Sequence, residues 1–277
     1  MNPDPLAATW LGRVPYLAAL QAQRALAALR ATGEARDTLL LLEHPPVFTF
    51  GRSGHAENLL IDPQECQRRG IEVHWVDRGG DVTYHGPGQL VGYPILALGT
   101  LDNSGRLPQA DYVAYVRRLE AALIDTLARF GIVAGQRRGL TGVWVQPDMA
   151  SRCPSCPPAK RLAPAKIAAI GVKVSAAGVS QHGFALNVAP QMDDWDLIIG
   201  CGLQGSPSVS MEELLGSGVP RLEQVAEAAA SSFARTFDRE LEWVPAARVL
   251  ALAAAAQPTP QSRAHFSPQG RPHAQGG

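Results

Sequence analysis

The chain has 277 residues, 25 acidic and 25 basic side chains, and a formal charge of zero. That length accommodates one large domain or two small ones, and the neutral balance argues against nonspecific nucleic-acid binding as its main task. Hydrophobic residues make up 46% and charged residues 18%, enough for a substantial core and incompatible with global disorder.

In chain order, Tyr16 to Ala31 predicts a helix rich in Ala, Leu and Gln. Leu39 to Leu42 predicts a buried strand, stopped by Glu43-His44-Pro45-Pro46, and Val47 to Phe50 resumes an extended pattern before the turn Gly51 to Gly54. Ile71 to Val76, Val82 to Tyr84 and Leu90 to Leu96 are further strand segments. Val116, Leu119, Leu123, Leu127 and Phe130 recur every three or four positions and mark the apolar face of a long helix. Lys166 to Val174 and Gly183 to Val188 read as paired central strands because they carry so little charge. Ser210-Met-Glu-Glu213 has the form of a capping box, and Leu222, Val225, Ala229, Phe233 and Phe237 define another amphipathic helix. Strands in short succession with separated helices predict an α/β or α+β fold, a mixed sheet with flanking helices, in a single domain over residues 1–256. A Pro-rich stretch at about 147–164 interrupts it, and residues 257–277 read as a disordered tail.

The first thirty residues lack an apolar run behind a basic start, and no stretch approaches membrane-spanning length. A cytoplasmic, reducing location and free thiols at Cys66, Cys153, Cys156 and Cys201 are the expectation. Cys153-Pro-Ser-Cys156 has redox or zinc-knuckle spacing, yet no second ligand pair accompanies it. Incidental loop cysteines are the simpler reading, and no metal is expected.

Three segments carry chemistry. Arg78-Gly-Gly-Asp-Val-Thr-Tyr-His85-Gly-Pro-Gly-Gln89 combines four glycines, whose bare backbone can lie against a ligand, with polar groups fit to orient one. It also reads as a surface hairpin, with Gly86-Pro87-Gly88 as its turn. In Ile199-Gly-Cys-Gly202, glycines flank Cys201 and would let a carbonyl approach the sulfur, with backbone N–H groups aimed at an oxyanion. A buried structural cysteine is the alternative. The three lysines, Lys160, Lys166 and Lys173, fall in one short span of an arginine-rich chain. Lysine, unlike arginine, can lose its proton when buried.

These stretches, with Thr141-Gly-Val-Trp-Val145, Lys166 to Val174 and His182-Gly-Phe-Ala-Leu-Asn187, resemble in order and spacing the lipoyl(octanoyl) transferases from about Leu39 to Gly216. The resemblance implies the fold of the biotin and lipoate protein ligase catalytic domain. It implies transfer of an octanoyl group from octanoyl-acyl carrier protein to a lysine of lipoyl domains, in the E2 subunits of 2-oxoacid dehydrogenases and the glycine cleavage H protein. Cys201 would be the nucleophile and Lys166 its proton partner. A free thiol has a pKa near ~8.5 and needs a base or a cation to raise its thiolate fraction. Arg78, Gly79, Gly80, Asp81, Val82, Thr83, Tyr84 and His85 would line one side of the substrate pocket. Ala169, Ile170, Gly171, Gly183, Phe184 and Ala185 would form the opposing wall, with Ile170 and Phe184 as apolar contacts. His182, Asn187 and Tyr84 are second-line polar groups. Arg68-Arg69, Arg117-Arg118 and Arg137-Arg138 could offer acyl carrier protein a basic face, or be solvated surface. No cofactor and no ATP would be needed, since the donor thioester is already activated, and neither nucleic acid nor membrane is an expected partner. An ATP-dependent lipoate ligase on the same fold, a noncatalytic binder of acylated partners and a redox or zinc adaptor are the rival readings. The Cys201 motif favours the transferase.

Overall fold

A computed structural model describes residues 5–99, 109–147, 162–200 and 207–256. Its centre is an eight-stranded mixed sheet. In sequence order the strands are β1 (Leu6–Arg13), β2 (Thr38–Glu43), β6 (Gln89–Ile95), β7 (Gly135–Arg137), β8 (Leu140–Val145), β9 (Ala165–Val174), β10 (Ser180–Asn187) and β11 (Leu241–Trp243). In space they run β11-β1-β2-β6-β10-β9-β8-β7. β1 pairs in parallel with β2 and β11, and the other pairs are antiparallel.

Leu39 to Leu42 are fully buried because β2 is covered on both faces. Leu39 and Leu41 join Leu119, Leu123 and Phe233 in one core, on α3 (Gln109–Ala128) and α5 (Leu222–Thr236). Leu40 and Leu42 join the core under α1 (Tyr16–Thr32) and α6 (Ala246–Ala255). One strand therefore serves two cores through its two-residue period. The capping box at Ser210 opens the short helix α4 (Met211–Leu215), with Glu213 bonded back to the Ser210 N–H.

A second sheet of three strands, β4-β3-β5, is formed by β3 (Val47–Phe50), β4 (Glu72–Trp75) and β5 (Val82–His85), and the helix α2 (Pro63–Arg68) leads into β4. This corrects the hairpin reading of the glycine-rich segment. β5 pairs with β3 while β6 enters the large sheet between β2 and β10. Gly86-Pro87-Gly88 thus carries the chain from one sheet to the other, and Val82 to His85 are buried. Gly88 has φ 84°, and a Cβ there would fall 2.1 Å from the Ala189 carbonyl oxygen, so the crossing needs glycine.

Sequence patterning missed β1, α2, β7, β8, β11 and α6. Ala-rich Leu6-Ala-Ala-Thr has no strong strand propensity, and its pairing with β2 and β11 overrides that. Two arginine doublets are engaged within the chain. Arg68 and Arg69 both bind Glu65, Arg117 binds buried Glu120, and Arg118 binds the Thr236 carbonyl beside the Phe237 ring. Residues 148–161 of the Pro-rich stretch, with Cys153 and Cys156, and the tail 257–277 lie outside the described residues. No helix among the described residues is long and apolar enough to cross a membrane.

Candidate functional site

A cleft opens where the loop before β5 lies on β9 and β10, closed from the side by α1. Gly79 donates its N–H to the Val172 carbonyl at 3.0 Å. A Cβ on Gly171 would sit 3.0 Å from the Gly79 oxygen and 3.2 Å from Arg78 Cδ, so bare backbone is what lets the loop rest on the strand. The buried Arg78 guanidinium is spent on this scaffold, donating to the Thr49 hydroxyl and carbonyl and, at 2.9 Å, to the Gly79 carbonyl. Asp81 accepts from the His55 N–H at 3.0 Å and from the Asn58 side-chain amide, fixing the turn at residues 55–58.

The structure brings most of the expected pocket residues together. Arg78, Gly79, Gly80, Asp81, Thr83 and His85 border the cleft, as do Ala169, Ile170, Gly171, Gly183, Phe184 and Ala185. Val82 and Tyr84 do not. Alternation along β5 turns them to the other face, against Phe48, Phe50 and Trp195. The wall strands meet in register, Gly171 opposite Gly183 and Ala169 opposite Ala185. Phe184, opposite Ile170, stacks its ring on Phe233 of α5 at 5.2 Å, so it borders the cleft while packing in the helix-side core. The Thr83 hydroxyl is buried and has no partner among the described residues, leaving it available to a ligand.

Two contributors escaped the sequence reading: Tyr16 and Tyr93. Tyr16 and Tyr93 come from α1 and β6, and nothing local marks them. His182, a second-line polar group in the sequence reading, borders the cleft itself. Its φ of 56° is in the left-handed region, and its N–H donates to the Gln23 side-chain Oε1 at 2.8 Å. Its Nε2 lies 3.0 Å from Asp77, which also binds Lys173 at 2.6 Å. Burial pulls the His182 pKa down against the opposing pull of Asp77. The hydrogen bond from His182, aided by Lys173, holds the Asp77 carboxyl well below the usual carboxylate range.

His85 is fixed in one tautomer by a chain of amides. The Gln89 amide NH2 donates to the Tyr84 carbonyl and to Asn187 Oδ1, while Asn187 donates its own NH2 to the Val209 carbonyl. Gln89 Oε1 can therefore only accept, at 2.8 Å, from His85 Nδ1–H. Burial, with His44 beside it, lowers the His85 pKa to about 3, so the ring is neutral and Nε2 is an acceptor. His44, lowered by burial to about 4, donates Nδ1–H to the Val14 carbonyl and accepts the Tyr93 hydroxyl proton at Nε2. Burial raises the Tyr16 hydroxyl to about 12, so it too stays protonated.

Lys166 reaches this face of the sheet through a β-bulge. Val145 pairs with Ala165 and Trp144 with Lys166, but Val143 pairs with Ala168, so Ile167 is an extra residue in β9. Ile167 and Ala168 both face the helix-side core, and the alternation resumes with Ala169 and Gly171 on the cleft side. Lys166 thus shares a face with Ala169 and Gly171. If β9 alternated strictly through Ile167 with no bulge, Lys166 would share the core-facing side with Ala168. It is 7% exposed, its Nζ lies 4.9 Å from the centre of the Trp144 ring, and its backbone pairs with residues 207–209.

Cys201 lies outside the described residues, as do 202–206. On one side of that segment the Ile199 N–H donates to the Asn58 carbonyl at 2.8 Å, in the turn that Asp81 holds. On the other, Pro207 accepts from the Lys166 N–H at 2.8 Å and the Val209 N–H returns to the Lys166 carbonyl. Among the described residues no group of three His, Cys, Asp or Glu could hold a metal ion.

The model of the lipoyl protein ligase A/B catalytic domain matches residues 15–234. The chain belongs to this family. It is 44% identical to an octanoyltransferase of Acidobacterium capsulatum over 84% of this chain and 91% of that protein. It is 48% identical to the octanoyltransferase of Solibacter usitatus over 83% of this chain and 92% of that one. Among solved structures it matches the bi-partite lipoate protein ligase of Thermoplasma acidophilum with a TM-score of 0.66 at 15% identity, over 92% of both chains. A lipoate-protein ligase A bound with ATP matches with a TM-score of 0.65 at 15% identity, over 91% of this chain and 93% of that one. The mixed sheet with flanking helices is thus the ligase-type fold of the family.

Proposed function

We propose that this protein is an acyltransferase that moves an octanoyl group from octanoyl-acyl carrier protein to the ε-amine of a lipoyl-domain lysine, in two steps through a thioester on Cys201. The observation that carries the reading is the likeness, at 44% and 48% identity over most of both chains, to proteins that are octanoyltransferases. The geometry agrees with it. A lysine emerges on the cleft face at a bulge, and its backbone pairs with the segment six residues beyond Cys201.

In the first step the Cys201 thiolate attacks the thioester carbonyl, a new C–S bond forms, and the pantetheine sulfur leaves. Lys166 takes the thiol proton and returns one to the leaving sulfur. In the second the acceptor amine, its proton taken up by Lys166, attacks the Cys201 thioester and the cysteine sulfur leaves. An amide is more stable than a thioester, so this step runs forward without ATP. The free Thr83 hydroxyl can donate to the thioester carbonyl, and neutral His85 lines that end of the cleft. The acceptors are the lipoyl domains of 2-oxoacid dehydrogenase E2 subunits and the glycine cleavage H protein.

Intact-protein mass spectrometry after incubation with octanoyl-acyl carrier protein tests this. Wild type should gain a hydroxylamine-labile octanoyl group that Cys201→Ser does not, and Lys166→Ala should load far more slowly. Transfer that requires free octanoate and ATP, with no adduct on Cys201, would assign the chain the chemistry of the ligases.

A further inference from the structure

The Lys166 head group is in an unusual place for a cation. It is 7% exposed, and no carboxylate among the described residues forms an ion pair or hydrogen bond with it. What it meets is the face of Trp144, its cross-strand partner, with Nζ 4.9 Å from the ring centre. The stem is guided too. Gly142, two residues before Trp144 on the same strand, has φ 116°, and a Cβ there would lie 3.5 and 3.6 Å from Lys166 Cε and Cδ. The Gly142 N–H is pinned at 3.0 Å by the fully buried Glu120 carboxylate, which Arg117 holds at 2.6 Å.

Trp144 itself is 0% exposed, and its indole N–H has no hydrogen-bond partner among the described residues. Burying an unpaired N–H is unfavourable, and a phenyl or aliphatic side chain would avoid it. What indole supplies beyond packing is the strongest negative π face of any side chain. The Arg137 guanidinium also lies 4.9 Å from that ring's centre, so two cations converge on one indole.

We propose that Trp144 is the positioning residue of Lys166, its π face substituting for a counter-ion and holding the amine in a fixed place on the cleft side of the sheet. A carboxylate in its place would trap the proton on the amine. An aromatic face attracts the ammonium without accepting a proton from it, so Lys166 can release and recover one during each half-reaction. The inference rests on the proton-carrying role given to Lys166 above.

The test uses the full-length protein with tryptophan replaced biosynthetically by mono-, di- and trifluorinated analogues, in wild type and in Trp144→Phe. Fluorine withdraws π density with little change in shape. Because all five tryptophans are labelled, the Trp144→Phe background isolates the contribution of this one. The expected result is a stepwise fall in kcat for octanoyl loading with each fluorine, KM for the donor staying level, and no trend in Trp144→Phe. Trp144→Phe itself should lose about three- to thirtyfold in kcat, the rate equivalent of a weakened cation–π contact. A flat series in wild type, or the same slope in both backgrounds, would overturn the proposal and reduce Trp144 to packing. Lys166→Ala, run alongside, separates the failures. If it loads at the wild-type rate, the role of Lys166 falls and takes this proposal with it. If it is inactive while the series is flat, only the role of Trp144 falls.

Discussion

Lowering the pH from about 7.5 to about 5 should destabilise this protein steeply, and His44 and His85 are the reason. Both imidazoles are buried beside the cleft, and burial brings their pKa values down from 6.5 to about 4 and about 3. Between those values and 6.5 the unfolded chain binds a proton at each site that the folded chain refuses. The unfolded state therefore binds more protons, and stability falls as the pH falls. At pH 5 an ordinary histidine is almost fully protonated, so each site costs about 2 kcal/mol, about 4 kcal/mol if the two titrate independently. Against a typical total of about 5–15 kcal/mol that is a large fraction. His182, whose pKa is also lowered by burial, adds in the same direction. Urea unfolding at half-unit steps of pH would read the slope, about 1.4 kcal/mol per unit for each histidine below pH 6. His85→Gln keeps a polar side chain without a titrating group and should remove one such increment. A stability flat from pH 7.5 to 5, or a slope untouched by His85→Gln and His44→Gln alike, would refute the assignment of these rings as neutral.

Two substitutions probe the scaffold around the cleft. Gly171→Ala places a methyl 3.0 Å from the Gly79 carbonyl oxygen, so the loop must lift from β9. A loss of about 1–3 kcal/mol in thermal or urea unfolding, together with a raised KM for the acyl donor, is expected. Asp81→Asn weakens the anchor of the 55–58 turn, whose Asn58 carbonyl holds the Ile199 N–H two residues before Cys201. Octanoyl loading should slow and amide exchange at residues 55–60 should quicken, for an overall stability change of about 1–2 kcal/mol. Unchanged exchange there would show that Asp81 does not hold the turn.

Much of this protein is written locally. The apolar face from Val116 to Leu127, the run Leu39 to Leu42 and the capping box at Ser210 each follow from neighbours within a turn or two of chain, and each forms where the pattern predicts. The glycine-rich segment and the lysine strand could likewise be singled out from residue types alone. What the sequence did not determine is which way the side chains of those segments face. Strict alternation from Ala169 and Gly171 back along β9 turns Lys166 into the hydrophobic core. Val82 and Tyr84 look like pocket residues until β5 is seen to pair with β3 and turn them to the second core. Tyr16, Tyr93 and His182 reach the cleft from elements far apart in sequence. A strand's period is a property of its own backbone, but its register and its bulges are set by the partner strand. The extra residue at Ile167 exists only because β8 pairs on both sides of it, and that pairing, not local preference, brings the lysine to the cleft face.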